Sequence, residues 1–189
     1  MELLIQSLKK FGNISENDFL LLKPFTKNVK INANEFYLNK GTVCHEVLLI
    51  CKGSMRAYYL KEDGLEVNIL LKSEGEFIAD YESFLTQDVA QYSIQALEDT
   101  EAIALSRNGL YQLANQSMYF NTLARYIAES NYLSAKRRAE DLLFLSPKQR
   151  YEKVLKENPH FLDRFPLKHI AAYVGIRQQS LSRIRAKKY

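Results

Sequence analysis

Apolar positions along the chain fall into three regimes. In the first two dozen residues they recur at helical spacing. Leu3, Leu4, Ser7, Leu8 and Phe11 form a stripe that stops at Gly12-Asn13, and Ser15-Glu16-Asn17-Asp18 reads as a helix start ahead of Phe19. From residue 25 to 105 the period shortens. Short runs rich in β-branched and aromatic residues, at 28–31, 35–38, 46–51, 54–60, 66–71, 92–96 and 100–105, alternate with turn signals at 32–34, 39–41, 52–53, 62–64 and 74–76. Asp63-Gly64 between two such runs predicts a hairpin, with positive φ expected at the central residues of its turn. Many short strands at this spacing predict a sandwich or barrel that closes on itself.

The third regime is helical again. Residues 118–145 contain neither Gly nor Pro and predict one long helix. Ala128, Tyr132, Ala135, Ala139 and Leu142 follow spacings of 4, 3, 4 and 3, a heptad seam. A second stripe, Tyr119, Leu123, Tyr126 and Leu133, lies on a neighbouring face. One stripe can pack on the chain's own strands, but two ask for two partners, and alanines on the seam let a second copy of the helix approach. A homodimer through this helix is therefore expected. Ser146-Pro147-Lys148-Gln149 then supplies a cap, a proline for the first turn and a glutamine to close a capping box, predicting a helix from 147 to about 157 that ends near Asn158-Pro159.

The segment 166–185 carries the functional signal. Ile170 and Val174 lie one helical turn apart, Ala171 is small where two helices must cross, Gly175 sits where the chain turns sharply, and Ile176, Leu181 and Ile184 complete an inner face. That is the pattern of a helix-turn-helix. The outward face of the second helix, expected over 177–187, holds Arg177, Gln178, Gln179, Ser180, Ser182 and Arg183. Arginine can bridge the two acceptors of guanine and glutamine can pair with adenine. Lys168, Arg185, Lys187 and Lys188 are expected to neutralise phosphates, which position a protein without specifying sequence, and His169 is expected at the surface, in phosphate contact.

Charge sharpens this. The formal net charge is only +4, yet residues 1–134 carry 12 basic and 17 acidic residues, whereas 135–189 carry 14 basic and 5 acidic. From Arg164 to the end there are seven basic residues and no acid. Such asymmetry points to a domain that meets a polyanion. The competing reading is a charged, solvated helical hairpin with no ligand.

At these residues the chain resembles the cyclic-AMP receptor protein/fumarate–nitrate regulator (CRP/FNR) family, in the variety common in Bacteroidetes. There a stretch like Gln149-Arg150-Tyr151 leads through a Pro-containing loop to Pro-Leu-Lys-His-Ile-Ala and then Leu-Ser-Arg-Ile-Arg. Upstream, Gly53-Ser54, the Asp63-Gly64 hairpin and Gly75-Glu76-Phe77-Ile78 resemble the family's β-roll. The resemblance implies an α+β chain. An N-terminal cyclic-nucleotide-binding-like β-roll (jelly roll) sensor occupies 1–117, a dimerisation helix 118–146 and a helix-turn-helix domain 147–189. It further implies that double-stranded DNA, a second copy and RNA polymerase are the partners.

Departures from the family pattern matter as much. Cyclic-nucleotide binders use a glutamate for the ribose hydroxyl and an arginine for the cyclic phosphate. The matching stretches here are Ala79-Asp80-Tyr81 and Ala90-Gln91-Tyr92. Asp80 could replace the glutamate, with Gln91 and Tyr92 completing a candidate effector site, but nothing local replaces the arginine. An unpaired buried phosphate costs several kcal/mol, so cyclic AMP is not expected to bind in the family's manner, and the effector is left open. Arg177 stands where many relatives have a Ser or Thr cap, and the chain ends soon after Arg185, where the best-known relatives continue into a β-hairpin wing.

Other chemistry is thin. Hydrophobic content of 47% and charged content of 25% predict a packed globular protein. No run approaches a membrane span, and the N-terminus does not read as a signal peptide, so a cytoplasmic protein is expected. Cys44 and Cys51, read as lying in adjacent strand segments, form no C-x-x-C pair, and reduced thiols are expected. A cupin-like metalloenzyme would need several histidines in the roll, which has only His45. No triad context, nucleophile elbow or phosphate-cradling loop appears, so no enzyme, cofactor or metal is expected. The alternative from another class is a ligand-sensing β-roll that acts through a protein partner without binding DNA.

Overall fold

The computed structural model describes residues 2–9 and 11–186. Helices α1 (Glu2–Lys9) and α2 (Glu16–Leu22) come first. Ser15 and Asp18 form a reciprocal capping box at the start of α2. A 3-10 turn, Lys23–Phe25, then leads into eight short strands: β1 (Thr26–Ile31), β2 (Phe36–Leu38), β3 (Glu46–Lys52), β4 (Met55–Leu60), β5 (Glu66–Lys72), β6 (Phe77–Ile78), β7 (Ser93–Ala96) and β8 (Thr100–Ser106). Two antiparallel four-stranded sheets result, in the orders β1-β8-β3-β6 and β2-β7-β4-β5.

Strand alternation decides which residues fill the roll. Leu48, Ile50, Met55, Ala57, Ile78, Ile94, Ala96, Ala102 and Ala104 point between the sheets and form its interior. The intervening residues of the first sheet, Leu49, Ile103 and Leu105, point outward. There they meet Leu4 and Leu8 of α1, Leu22 of α2, Leu113 of α4 (Arg107–Gln116) and Phe120 and Leu123 at the start of α5 (Met118–Phe144). β3 is therefore buried on both faces, which explains its unbroken apolar run.

The second sheet is covered by the C-terminal helices α6 (Pro147–Glu157), α7 (Phe161–Arg164), α8 (Leu167–Val174) and α9 (Gln178–Ala186). Leu71 of β5 joins Tyr151, Phe161, Phe165, Ile170, Ala171, Val174 and Leu181 in one buried cluster. A bulge in β5, where Ile69 has no partner opposite Ala57 and Tyr58 of β4, sets this up. Arg56 pairs with Leu71, but Tyr58 pairs with Asn68, so β5 changes phase and Asn68 and Leu71 both face the helices. The expected capping box of Ser146 and Gln149 opens α6.

The hairpin between β4 and β5 departs from the expected turn. Five residues connect the strands, Gly64 alone has positive φ, at +77°, and Asp63 instead accepts the Leu65 N–H with its carboxylate at 3.1 Å. Cys44 is not on a strand: it is buried in the loop before β3, with only Cys51 on that strand, and both thiols are free. The short helices α3 (Tyr81–Thr86), α4 and α7 are additional to those the apolar pattern predicts.

Two glycines have different reasons for lacking a side chain. At Gly53, φ is +96° and a Cβ would lie 2.8 Å from the Asp99 carbonyl oxygen and 2.9 Å from Thr100 Cα. At Gly175, φ is +81° but the nearest atom, Leu142 Cδ2, is 3.6 Å away. Gly175→Ala should cost roughly 1–2 kcal/mol from backbone conformation alone. Gly53→Ala should cost more, on the order of 3 kcal/mol, because backbone must also shift. Urea denaturation midpoints of the two variants check the order.

Candidate nucleic-acid interface

Helices α8 and α9 meet at the left-handed Gly175, with Ile170, Val174 and Leu181 buried and Ile184 packed at the edge of the same cluster. Because the inner face of α9 is held by Leu181 and Ile184, the opposite face is turned outward. Gln179, Ser182 and Arg183 are exposed on it, and Gln178, Ser180 and Arg185 are exposed on its flanks, as are Lys168 on α8 and Arg177 ahead of α9. Arg177 is outside the helix, which spans Gln178–Ala186, and its carbonyl accepts the Leu181 N–H at 3.2 Å. Lys187 lies outside the described residues.

His169 corrects the expectation of a surface phosphate contact. It is 5% exposed and turned toward the roll. Its ring sits at the edge of a buried guanidinium that the sequence reading did not single out. Arg56 Nε and Nη2 donate to Gln95 Oε1 at 3.0 and 2.8 Å, and Nη2 also donates to Glu66 Oε1 at 2.9 Å. Nη1 donates to Glu66 Oε2 and, at 3.3 Å, to His169 Nδ1. All five donors are thus used, and the guanidinium plane lies 3.9 Å over the Tyr58 ring. Accepting at Nδ1 leaves the imidazole proton on Nε2, so His169 is neutral here. Burial, with Arg56 and Lys168 nearby, pulls its pKa from 6.5 down to about 4.

Further ties fix the helices to the roll. Asn68 Nδ2 donates to the His169 carbonyl at 2.9 Å, while Arg138 of α5 donates to the carbonyls of Asn68 and Tyr173 at 2.7 and 3.0 Å. Arg164 makes a two-pronged contact with Glu74 at 2.7 and 3.1 Å and reaches Glu98 at 2.5 Å. That guanidinium holds the Glu74 carboxyl down at about 2. Arg150 of α6 donates to the Val174 and Leu145 carbonyls at 2.9 and 2.8 Å, tying the ends of α8 and α5 together. None of these arginines has a periodic signature. Arg56 alone left a trace, as a charge inside the apolar run of β4.

The remaining candidate residues divide. Ala128, Tyr132, Ala135, Ala139 and Leu142 are all exposed on α5, whereas Leu123 of the neighbouring stripe is buried against the roll. Asp80 is buried and caps α3 by accepting the Ser83 N–H at 3.1 Å. Tyr92 lies close by, donating to the Ala79 carbonyl at 3.4 Å. Burial and the Asp80 charge push its phenol up. Gln91 is not brought to them: it is exposed and folds back onto the Val89 carbonyl at 3.3 Å. His45 bonds Gln87, and among the described residues no His, Cys, Asp and Glu side chains group to hold a metal ion. Among them, too, no helix is long and apolar enough to cross a membrane.

Residues 28–117 match the family described as Cyclic nucleotide-binding domain, a span that coincides with the two sheets and α4. The fold of roll, long helix and C-terminal helices is similar to that of several solved structures. FixK2 from Bradyrhizobium japonicum is similar with a TM-score of 0.73 at 15% identity, over 86% of this chain and 83% of that one. The c-di-GMP responsive global regulator CLP from Xanthomonas campestris gives 0.66 at 17%, over 92% and 91%. A transcriptional regulator assigned to the crp/fnr family from Eubacterium rectale gives 0.69 at 14%, over 92% and 83%. No curated protein matches the sequence.

The His169 joint sets a pH dependence. Its pKa is depressed in the docked state, so its contribution is complete above pH 6.5. The contribution then declines as the pH falls toward 4, because the released imidazole takes up a proton that the docked one refuses. The neighbouring Glu66 carboxyl is itself held low by its bonds to Arg56. Stability should drop by up to roughly 1.4 kcal/mol per pH unit. Urea midpoints measured from pH 7 to 5 check this, and His169→Gln should flatten that part of the curve.

Proposed function

We propose that this chain is a homodimeric, DNA-binding transcription regulator of the CRP/FNR type, with residues 1–117 as sensor, 118–146 as dimer helix and 147–189 as the DNA-binding domain. The observation that carries the reading is the outer face of α9. Two arginines, two glutamines and two serines are exposed on a helix whose aliphatic side is anchored, in a segment with no acidic residue. Arg183 and Gln179 are assigned to base edges. Lys168, Arg177, Gln178, Ser180, Ser182 and Arg185 are assigned to phosphates and flanking contacts, with Lys187 beside them. α8 and α9 act as the helix-turn-helix. The matched domain and the regulators of similar fold support the same reading.

The exposed seam of Ala128, Tyr132, Ala135, Ala139 and Leu142 is assigned to the dimer contact. Two copies of α9 then enter successive major grooves roughly 34–36 Å apart, so the operator is a near-palindrome. The roll is assigned a degenerate pocket that does not take cyclic AMP. Ala90 stands where the resemblance calls for an arginine, is buried, and has its N–H and carbonyl bonded to Thr42 and Gly41 at 2.8 Å each. A cytoplasmic location and contact with RNA polymerase complete the proposal.

Duplex binding should weaken steeply with salt, with a slope of about −0.9 in log–log form for each phosphate contacted. Arg183→Ala should flatten sequence preference at one position of each half-site, with a loss of about 1–3 kcal/mol in a footprint titration. Unchanged preference would reject that assignment. Ala135→Glu, on an exposed face, should shift the protein to monomer in sedimentation and reduce affinity for the palindrome by at least about tenfold. Isothermal titration with cyclic AMP should give no heat of binding.

A further inference from the structure

The hairpin between β4 and β5 stands beside the outer face of α9. Between them runs a groove of about 680 Å³, with Asp63 and Glu66 on the hairpin wall and Arg177, Gln178, Gln179 and Ser182 on the helix wall. That volume suits a small molecule. A recognition helix in a major groove has phosphate-lined walls on both sides. Here the hairpin already occupies one of those sides, and it brings carboxylates, with exposed Glu62 beside Asp63 at its tip.

We propose that this hairpin is an internal competitor of DNA, and that a duplex binds only when the C-terminal helices leave the roll. The inference rests on α9 being the DNA-reading helix. Like charge drives the exclusion: phosphates approaching Gln179 and Ser182 would meet the hairpin carboxylates at short range. The hairpin cannot yield on its own. Its strands are paired, and Glu66 at its base is locked to Arg56. The helices can. They are tied to α5 by Leu145, by the Arg138 bond to the Tyr173 carbonyl and by the Lys153–Asp141 ion pair, and they can swing with it; hydrogen bonds and ion pairs (Arg56 to His169, Asn68 to the His169 carbonyl, Arg164 to Glu74 and Glu98) join them to the roll alongside the apolar contacts of Leu71 and Leu97. High salt or a competing polyanion weakens such ionic ties. The Lys168 and Arg177 cations, which share the groove with Asp63 and Glu66 in the closed form, then become available to phosphates.

The test uses the full chain and a random-sequence duplex at fixed moderate salt. Glu62→Gln/Asp63→Asn leaves the turn bond to Leu65 possible and removes two exposed charges. It should bind at least about fivefold tighter than the parent. The charge-matched control Glu2→Gln/Glu16→Gln, on the N-terminal helices, should stay within about twofold, which separates local exclusion from net charge. In parallel, spin labels on Lys61→Cys and Glu157→Cys, in a Cys51→Ala background and mixed with excess unlabelled protein so that a labelled chain pairs with an unlabelled one, should give one narrow distance population that lengthens when duplex saturates the protein. Equal affinity of the hairpin variant, its control and the parent overturns the inference, as does a label distance that stays the same in the complex. Failure of every variant to bind any duplex would instead remove the DNA-binding reading itself, and this inference with it.

Discussion

Arg56 lies on a strand, is only 6% exposed, and carries a charge that burial would penalise heavily if any donor were left unmet. Its environment meets all of them. Gln95 comes from the neighbouring strand β7, Glu66 from β5, and His169 from helix α8, so one side chain joins two strands and the C-terminal helices. Because His169 must present a bare Nδ1, this contact also selects the neutral imidazole. The angle at which α8 lies on the roll is fixed by that requirement and by Asn68 holding the His169 carbonyl. Everything beyond α8, including which way α9 faces, follows from it.

The roll supports this arrangement because both of its outer faces are covered. On the first sheet the cover, from α1, α2, α4 and the first turns of α5, is mainly apolar, with the Ser7 hydroxyl bonded to the Gly75 carbonyl. On the second it is divided: Leu71 and Leu97 give an apolar half, and Arg56, Asn68 and Glu74 a charged and polar one. An apolar joint loses free energy in proportion to exposed area and responds weakly to salt or pH. A joint built on charges responds to both. Glu74, held near 2 by Arg164, and His169, drawn down toward 4, are the groups that record this difference.

Much of this was legible in the sequence because periodicity reports burial. The seven strand runs, the long helix and the capping box of Ser146 all derive from local patterns, and the same argument placed Ile170, Val174 and Leu181 inward. The misses arise where the deciding partner is distant in sequence. His169 sits between exposed Lys168 and buried Ile170, and nothing local says that it faces Arg56, 113 residues away. The β5 bulge at Ile69 is equally silent, although it determines which face of β5 meets the helices. The Asp63-Gly64 turn was placed correctly but given the wrong geometry, since a longer loop needs positive φ at Gly64 alone. Of the candidate effector residues, Gln91 followed from alignment of a motif, and its exposed side chain turns back on its own loop.

The α5 helix presents a different balance. Residues 128 to 137 are all exposed, and Tyr132 reaches 67%. None of these ten residues is buried against the rest of the described chain. An isolated helix of that length is marginal in water. The two i,i+4 ion pairs along it, Arg125 with Glu129 and Lys136 with Glu140, are solvent-exposed and contribute only a few tenths of a kcal/mol each. The small residues of the seam leave room for a second copy of the same helix, the occupant that the proposed dimer assigns to it. The fold couples this exposed element to its most polar joint: Arg138 on α5 holds the carbonyls of Asn68 and Tyr173, so on that proposal a shift of α5 against a partner would be passed to α8.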